Sequence, residues 1–517
     1  MRQILQTHWP CILILLIALF IGFDTYQDFG ISIDEESQRD IGYTAFEYAR
    51  GEYPGQYTDF PFRDHGPGME WIYIFFERQL NLGSFRDIFL MRHLVTYLFF
   101  ALSGIALYVW IYRVFLNRWL AAFGLAALLF HPVLFGHAFF NPKDIPAMSI
   151  FLVSMAVAQW AFARQKLWPF FILGLVCGYS TTIRLMNIIV LVPVALFLLI
   201  DIFQAARQRS SVARMILAGT LLITGTCVTL YACWPTLWQD PIAGLQYAYN
   251  TSAQYPWKGQ MLFAGNYIQS TNLPWSYIPT WMFITTPELF VLAGLIGIAV
   301  IVVRLVSEPG QFYSNTPYRS ILLAFICFLL PLILIIRLDS VLYDGWRHMY
   351  FIYPAFVMLM IYGLNELLQR RQKIIIWSLC CLQLVLIGRF MVKNHPFGHV
   401  YFNSFVPHDE DYLLTHYELD YWGQGHKHGL EWLGEYDKRY NIKILNDHWT
   451  LGDNLMFLNE HMHAKFVPTW NDTEAEYYLD FFRTYPYRFP NKDWPDAKII
   501  YEKRILGSPV YRIVKLR

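Results

Sequence analysis

Residues 343–366 read YDGWRHMYFIYPAFVMLMIYGLNE. From Met349 to Asn365 the run carries no charged residue, close to the roughly 20 apolar residues that a bilayer-spanning helix needs. It is entered through Arg347 and His348, flanked by Tyr343, Trp346 and Tyr350, aromatics of the kind that gather where membrane meets water. The stretch therefore reads as a helix that begins at an interface and crosses a membrane. Runs of the same kind lie near 9–26, 89–112, 118–136, 145–163, 167–183, 186–204, 214–233, 283–304, 319–337, 349–366 and 374–392, which predicts about eleven spans. Composition agrees. Only 15% of the residues are charged, against about 25% in soluble domains, so much of the surface needs a solvent other than water. The partner implied is a lipid bilayer. A net charge of +1, with no polybasic tail or stripe, excludes nucleic acid.

Orientation follows from the basic residues. Arg2, Arg113, Arg118, Arg164, Lys166, Arg207, Arg209, Arg214, Arg370, Arg371 and Lys373 all fall on one side of the predicted spans. Under the positive-inside rule that side is the cytoplasm. The run Cys11 to Phe23 is short enough for a signal-peptide core. It lacks a small-residue cleavage pattern and precedes many spans, so it reads as a retained anchor. The opposite side receives residues 27–88, 136–146, 234–282, 338–348 and the tail. Residues 1–392 are expected to form a transmembrane module and 393–517 a small α/β domain on the outer face. In that tail 429–440 and 452–462 read as helices, 442–445 as a strand, and 499–502 with 510–515 as a hairpin around Gly507-Ser508-Pro509. No internal repeat is evident. The seven cysteines lie in or beside apolar runs, where Cys acts as a small hydrophobe, so neither a disulfide framework nor a Cys-based metal site is predicted.

The unusual chemistry gathers in the outer segments. Just past the first span come Asp34, Glu35 and Glu36. Acids at a helix start can complement its dipole and cap it. Ionisable groups at membrane depth are also functional candidates, and a carboxylate held there could deprotonate a hydroxyl. The two readings weigh evenly. The second outer segment contains Asn141-Pro142-Lys143-Asp144-Ile145-Pro146. Pro146 suits a helix start, which makes Asp144 a residue near the N-cap in the plain reading. Lys143 runs against both the outer-side charge bias and the helix dipole. Its ammonium and the helix amides together suit a phosphate. Arg347 beside His348 suits a phosphate leaving group, because guanidinium offers a planar fork of donors. Interfacial anchoring explains the neighbouring aromatics but not this pair. Arg184 can contact a carboxylate or phosphate or cap its helix, with capping favoured. The pairs His426/His428 and His461/His463 lack an acidic framework and read as surface histidines. The sequon-like Asn250 and Asn471 stretches are a common chance pattern. No nucleotide-binding or zinc-protease motif is present, so a donor on the outer face should be lipid-linked.

With Ile33-Asp34-Glu35, the 141–146 and 343–348 motifs, and the tail stretches 394–403 and 418–423, the chain resembles the GT-C fold of membrane glycosyltransferases. In particular it is similar to bacterial members of the protein O-mannosyltransferase and lipid A aminoarabinose transferase group. The resemblance implies a multi-pass protein of a bacterial inner membrane, working on its periplasmic side. It implies a polyprenyl-phosphate sugar donor and a periplasmic acceptor, which could be a glycan, a lipid or a protein hydroxyl. Asp34 becomes the general base, Glu35 positions the acceptor or shapes the site, and Asp144 binds acceptor or organises the site. Lys143, Arg347 and His348, with Arg184 beside them, neutralise the departing phosphate. The tail is unlike the β-trefoil of the eukaryotic protein mannosyltransferases, so a protein acceptor is not implied. One base and no separate nucleophile imply inversion by single displacement. No metal ligand set stands out, and a divalent metal is left open. The rival reading is a flippase or transporter of lipid-linked sugar, for which midplane charges and inverted repeats would be the signature.

Overall fold

The computed structural model describes residues 2–164, 166–208, 211–253, 255, 257–370, 372–483 and 494–517. Arg209 and Arg371, counted above among the basic residues, lie outside these, as does the side chain of Arg2. The helices of the first half are α1 (Arg2–Thr25), α2 (Glu35–Arg50), α3 (Gly68–Gln79), α4 (Phe85–Phe115), α5 (Arg118–Leu129), α6 (Pro132–Phe140), α7 (Asp144–Arg164), α8 (Trp168–Ile183), α9 (Leu191–Arg207) and α10 (Val212–Cys233). Then come α11 (Pro241–Ala253), the hairpin β1 (Gln260–Phe263) and β2 (Asn266–Gln269), α12 (Tyr277–Thr285), α13 (Glu288–Ser307), α14 (Pro309–Ser314), α15 (Thr316–Arg337), α16 (Tyr353–Leu368) and α17 (Lys373–Asn394).

Among the described residues nine helical segments are long and apolar enough to cross a membrane, and the chain is a multi-pass membrane protein. Two of the eleven predicted spans take other forms. The 118–136 run divides into α5 and α6, which meet at 56°. Pro132 opens α6 there, and His131 accepts from the Leu134 amide to cap it. The 167–183 run is α8, an apolar helix of only 16 residues. Burial sorts the spans into rings. In the span Arg347–Leu368, which contains α16, 83% of the apolar window is buried, whereas in α17 the share is 17%. The outer helices turn large apolar side chains outward, among them Phe20, Ile223, Val303 and Val392. In water such surface would be costly, but hydrocarbon solvates it.

Hydrophobicity cannot hold two helices together when lipid is equally apolar, so close backbone approach has to. Helices α8 and α10 show this. A Cβ on Gly174, Gly178 or Gly225 would strike the facing backbone. Gly225→Leu is expected to force the pair apart at a cost of about 1–3 kcal/mol, seen as a lowered melting temperature in detergent. An unchanged melt would mean that the pair is not held by this contact.

The tail continues with α18 (Tyr412–His416), α19 (Gly425–Tyr436), β3 (Ile442–Leu445), α20 (Trp449–Phe457), α21 (Glu460–His463), β4 (Phe466–Thr469), β5 (Tyr477–Asp480), β6 (Lys498–Ile505) and β7 (Ser508–Lys515). Its sheet has the order β4-β3-β5-β7-β6. Strand β3 runs parallel to both its neighbours, while β7 runs antiparallel to both of its own. The predicted hairpin is β6–β7, turning through Leu506 and Gly507, both at positive φ (49° and 83°), the two-residue turn whose twist matches that of its strands. The predicted 452–462 helix is broken after Phe457. Asn459 restarts it as α21 by accepting from the Met462 amide. The surface reading of His426 and His428 is corrected. Both lie on α19 facing the sheet, His426 buried against the Tyr511 hydroxyl at 3.1 Å and His428 half-buried at 2.7 Å from that of Tyr501. His461 and His463 are exposed.

The tail docks on the segment that leaves α1. Gln424 accepts from the Gly30 amide at 3.0 Å, and Asn454 both accepts from the Ile31 amide and donates to the Ile31 carbonyl, each at 3.0 Å. This fixes the backbone three residues before Asp34.

Candidate active site

Three adjacent acids open the α2 region, and the structure sends them in three directions. Asp34 occupies the N-cap position of α2, yet its side chain caps nothing. Its Oδ2 accepts from Arg347 Nη1 at 2.5 Å, and the residue stays half-exposed. Glu35 is buried and does the local work instead, accepting from the Ser32 amide at 2.7 Å. Its other oxygen lies 2.9 Å from His93 Nε2 on α4, near enough for an ion pair though out of line for a hydrogen bond. Glu36 points outward. The even choice between capping and chemistry thus resolves by residue: Glu35 ties the turn, and Asp34 faces the cations.

Arg347 sits where the central span begins, and it is the hub. Nη1 serves Asp34 and lies 3.8 Å from Asp144 Oδ2, while Nη2 reaches Asp344 Oδ2 at 3.1 Å. The guanidinium is flanked by the rings of Tyr343 and Trp422, 4.9 and 4.7 Å from its carbon. Aromatic faces hold a cation in place without neutralising it. His348 beside it is buried, its ring edge-to-face with Tyr343 at 4.6 Å.

Asp144 is the first residue of α7, near the N-cap as read, and the capping bonds come from Asn141, whose Oδ1 accepts from the Asp144 amide at 2.8 Å and the Lys143 amide at 3.3 Å. That frees the Asp144 carboxylate, which pairs with Arg184 and accepts from Asn141 Nδ2 at 3.1 Å. Both readings of Arg184 hold: it is the C-cap residue of α8, its amide donating to the Ser180 carbonyl at 3.3 Å, while its guanidinium goes to Asp144. Lys143 is half-buried, and among the described residues no carboxylate lies within 4 Å of its ammonium. Burial, with Arg184 nearby, pushes its pKa down to about 8 against the pull of Asp64, Asp144 and Asp34. Lys143 is thus a site cation without a close counter-ion.

Around this centre stand four residues that the motif reading did not assign. Asp64 pairs with His65 at 2.9 Å. The loop that carries them is pressed onto the end of α8, where a Cβ on Gly66 or Gly68 would collide with Thr182. Burial raises the Asp64 carboxyl, but His65 and Lys143 outweigh it and hold the group below the usual range. Asp344 takes Arg483 from the tail at 2.9 Å, and Arg483 also donates to the Tyr421 carbonyl. Glu418 is pushed up to about 8 by burial and by Asp344. Asp34 differs from Glu418 in sign. Burial raises it too, yet the Arg347 guanidinium, with Lys143 and Arg483 farther off, keeps its carboxyl below the ordinary value.

The structure therefore brings Asp34, Asp144, Lys143, Arg184, Arg347 and His348 to one face beside the first ends of α7 and the central span. It turns Glu35 away from them. Asp64 could have been found from the sequence, since an Asp-His pair before Gly66-Pro67-Gly68 is conspicuous on an outer loop. Asp344 lay inside a motif already singled out, whereas Arg483 had no local signal. Among the described residues no three His, Cys, Asp or Glu side chains are grouped to hold a metal ion.

No family profile matches the sequence, and no curated protein matches it. Among solved structures, the chain is similar to ArnT from Cupriavidus metallidurans bound to undecaprenyl phosphate, with TM-score 0.49 and 14% identity over 75% of this chain and 65% of that one. It is also similar to the Archaeoglobus fulgidus oligosaccharyltransferase in the apo form, with TM-score 0.46 and 10% identity over 91% of this chain and 65% of that one. A third similar structure is archaeal AglB from the same organism with an inhibitory peptide and a dolichol-phosphate, with TM-score 0.45 and 11% identity over 91% and 65%. The chain matches 65% of the length of each of these three.

Proposed function

We propose that this chain is a membrane glycosyltransferase that moves a sugar from a polyprenyl-phosphate donor onto an acceptor hydroxyl at the periplasmic face of a bacterial inner membrane. The observation that carries the reading is a half-exposed carboxylate, Asp34, held against a buried arginine beside a lysine that has no close counter-ion. A candidate base and a candidate anion site are adjacent, where α2, α7 and the central span begin. In the transfer, Asp34 accepts the acceptor proton as the oxygen forms its bond to the anomeric carbon. The bond from that carbon to the phosphate oxygen breaks, and the polyprenyl phosphate leaves with the electron pair and the charge. Lys143 and Arg347 meet that charge, with Arg184 and His348 beside them. One displacement inverts the anomeric configuration.

The resting geometry adds a feature. Clamped by Arg347, Asp34 is ionised but a weak base. A donor phosphate that draws Arg347 toward itself loosens the clamp and raises the basicity of Asp34, so donor binding prepares the base. The flippase reading has less support, because the charges of this cluster lie where α2, α7 and the central span begin and not midway along a span.

The test is reconstitution of the purified protein in liposomes with radiolabelled polyprenyl-phosphate sugar and extracted envelope glycolipids. Label should pass to an acceptor in the inverted configuration. Label that only changes leaflet would replace this reading with the flippase one. The lysine gives a pH signature. Its proton is lost above pH about 8, so the donor KM should rise from there upward, while Lys143→Ala should show a raised KM of roughly 10- to 100-fold and no such rise. Stability should move the other way. The folded pKa lies below the ordinary value of 10.5, so between those values the unfolded chain binds more protons and the contribution of this group to stability grows with pH. A donor KM flat from pH 7 to 9.5 would remove Lys143 from the phosphate site.

A further inference from the structure

Two carboxyl groups meet where the tail docks on the first outer segment. Asp453 lies on α20 and is only 5% exposed. Its neighbour in the chain is Asn454, which holds both polar groups of Ile31 at 3.0 Å. The Asp453 side chain hydrogen-bonds that of Glu36 in the first turn of α2, and the charge of Glu35 acts on it from the same turn. An ionised carboxylate only accepts hydrogen bonds, so two of them can bond to each other only through a proton that one carries.

The surroundings offer the pair no counter-ion. Among the described residues no cation lies within 4 Å of Asp453, and those on the neighbouring elements are committed elsewhere. On α19, Lys427 is taken by Glu431 at 2.8 Å and the Asp28 carbonyl at 3.4 Å, while His426 is turned to the Tyr511 hydroxyl. On α4, Arg86 donates to the Phe457 carbonyl at 2.8 Å, and His93 faces Glu35 at 2.9 Å. On α2, Arg39 is bound to Glu77 at 2.7 Å, and Asp40 adds negative charge beside Glu36. His448, at the start of α20, is bound to the Thr450 hydroxyl at 2.7 Å. Burial, with two acids and no cation, pushes the Asp453 carboxyl up to about 8.

We propose that Asp453 is a positioning residue for the base: by sharing one proton with Glu36 it holds the first turn of α2, and with it Asp34, against the tail. Asp34 is the N-cap residue of that turn. Asn454 already fixes the backbone on one side of it, at Ile31, and the shared proton fixes the other side, at Glu36. When that proton leaves, two like charges face each other across the joint and push the turn off the tail. A misplacement of about 1 Å at a reacting group costs roughly 100-fold in rate. The effect on Asp34 rests on the transferase reading; the shared proton does not. The direction with pH follows. The folded carboxyl binds its proton more tightly than the ordinary value of 3.8, so the joint is intact below pH about 8 and is lost above it. Between those values the folded chain binds more protons than the unfolded one, and the contribution of the pair to stability falls as pH rises.

The experiment uses the full chain in liposomes and two readouts taken from about pH 6.5 to 9.5. One is the single-turnover rate constant with saturating polyprenyl-phosphate sugar and extracted envelope glycolipids. The other is the infrared carbonyl band of protonated carboxyl groups. In the wild type the rate constant should fall by roughly tenfold or more above pH 8, and the band should fade over the same range. Asp453→Asn and Glu36→Gln each place an amide donor in the joint, which needs no shared proton. Both should keep the rate at low pH within about threefold of wild type and lose the alkaline fall. Asp453→Ala, which has no bond to Glu36, should be slow at every pH. Lys143→Ala should retain the fall in the rate constant, which separates this effect from the rise in donor KM. Glu418 also titrates near 8 but is common to wild type and Asp453→Asn, so the difference between their infrared titrations reports Asp453. The inference is overturned if the alkaline fall survives in Asp453→Asn and Glu36→Gln, or if wild type and Asp453→Asn titrate alike in the infrared. A wild-type band that titrates without any sugar transfer would overturn the transferase reading and leave the shared proton standing.

Discussion

Asp34→Asn is expected to lower sugar transfer by about 10³-fold or more while the protein still inserts and folds. General-base assistance contributes roughly 10²–10⁴, and here a single side chain supplies it. Asparagine keeps the shape of the N-cap residue, which makes no capping bond through its side chain. Its amide oxygen can still accept from Arg347 at the 2.5 Å contact. Arg347 also keeps Asp144 and Asp344, so the cation is not stranded. The deficit should therefore appear in the single-turnover rate constant and not in the donor KM or the melting temperature. With one fewer anion competing for Arg347, donor binding should stay equal or tighten. A variant with transfer within tenfold of wild type would remove Asp34 from the base role.

The second large effect is at Arg347. Lysine carries the same charge but cannot fork between acceptors, and here one guanidinium meets Asp34, Asp344 and, at 3.8 Å, Asp144. Arg347→Lys should lose at least about 100-fold in transfer, since removing one donor of a developing charge costs roughly 10²–10³. Arg347→Met should fold poorly. Removing one partner from a buried ion cluster costs about 3–5 kcal/mol, and Arg184 and Arg483 reach only the outlying carboxylates. Adding Asp34→Asn, the carboxylate left without a cation, to Arg347→Met should recover part of the melting temperature and none of the transfer. If activity returned together with stability, Arg347 would be a structural residue alone.

Much of this was legible in the chain because membranes write simple rules. Length and apolarity located the crossing segments, and the two that came out differently did so for local reasons, a capped proline at 131–132 and a helix of 16 residues. The residues of the candidate site drew notice where they broke a rule: Lys143 against the predicted charge bias, and an arginine at the mouth of an apolar run. The division of labour between Asp34 and Glu35 came from the resemblance and not from the residues, whose two readings weighed evenly. It depends on His93 and Arg347, which lie far away in sequence and reach this turn only through helix packing. Arg483 was invisible for the same reason. The tail histidines misled because an amphipathic helix against a sheet buries His as readily as Leu when a tyrosine hydroxyl waits opposite.

The bonds from Asn454 to both polar groups of Ile31 span 423 positions of the chain. A Cβ on Gly30 would collide with that same asparagine, so the fit leaves no slack. During biosynthesis the segment bearing Asp34 leaves the ribosome 423 positions ahead of the side chain that sets its backbone. A chain that stops short of Asn454 consequently has its cation spans but lacks the bonds that fix the backbone three residues before Asp34.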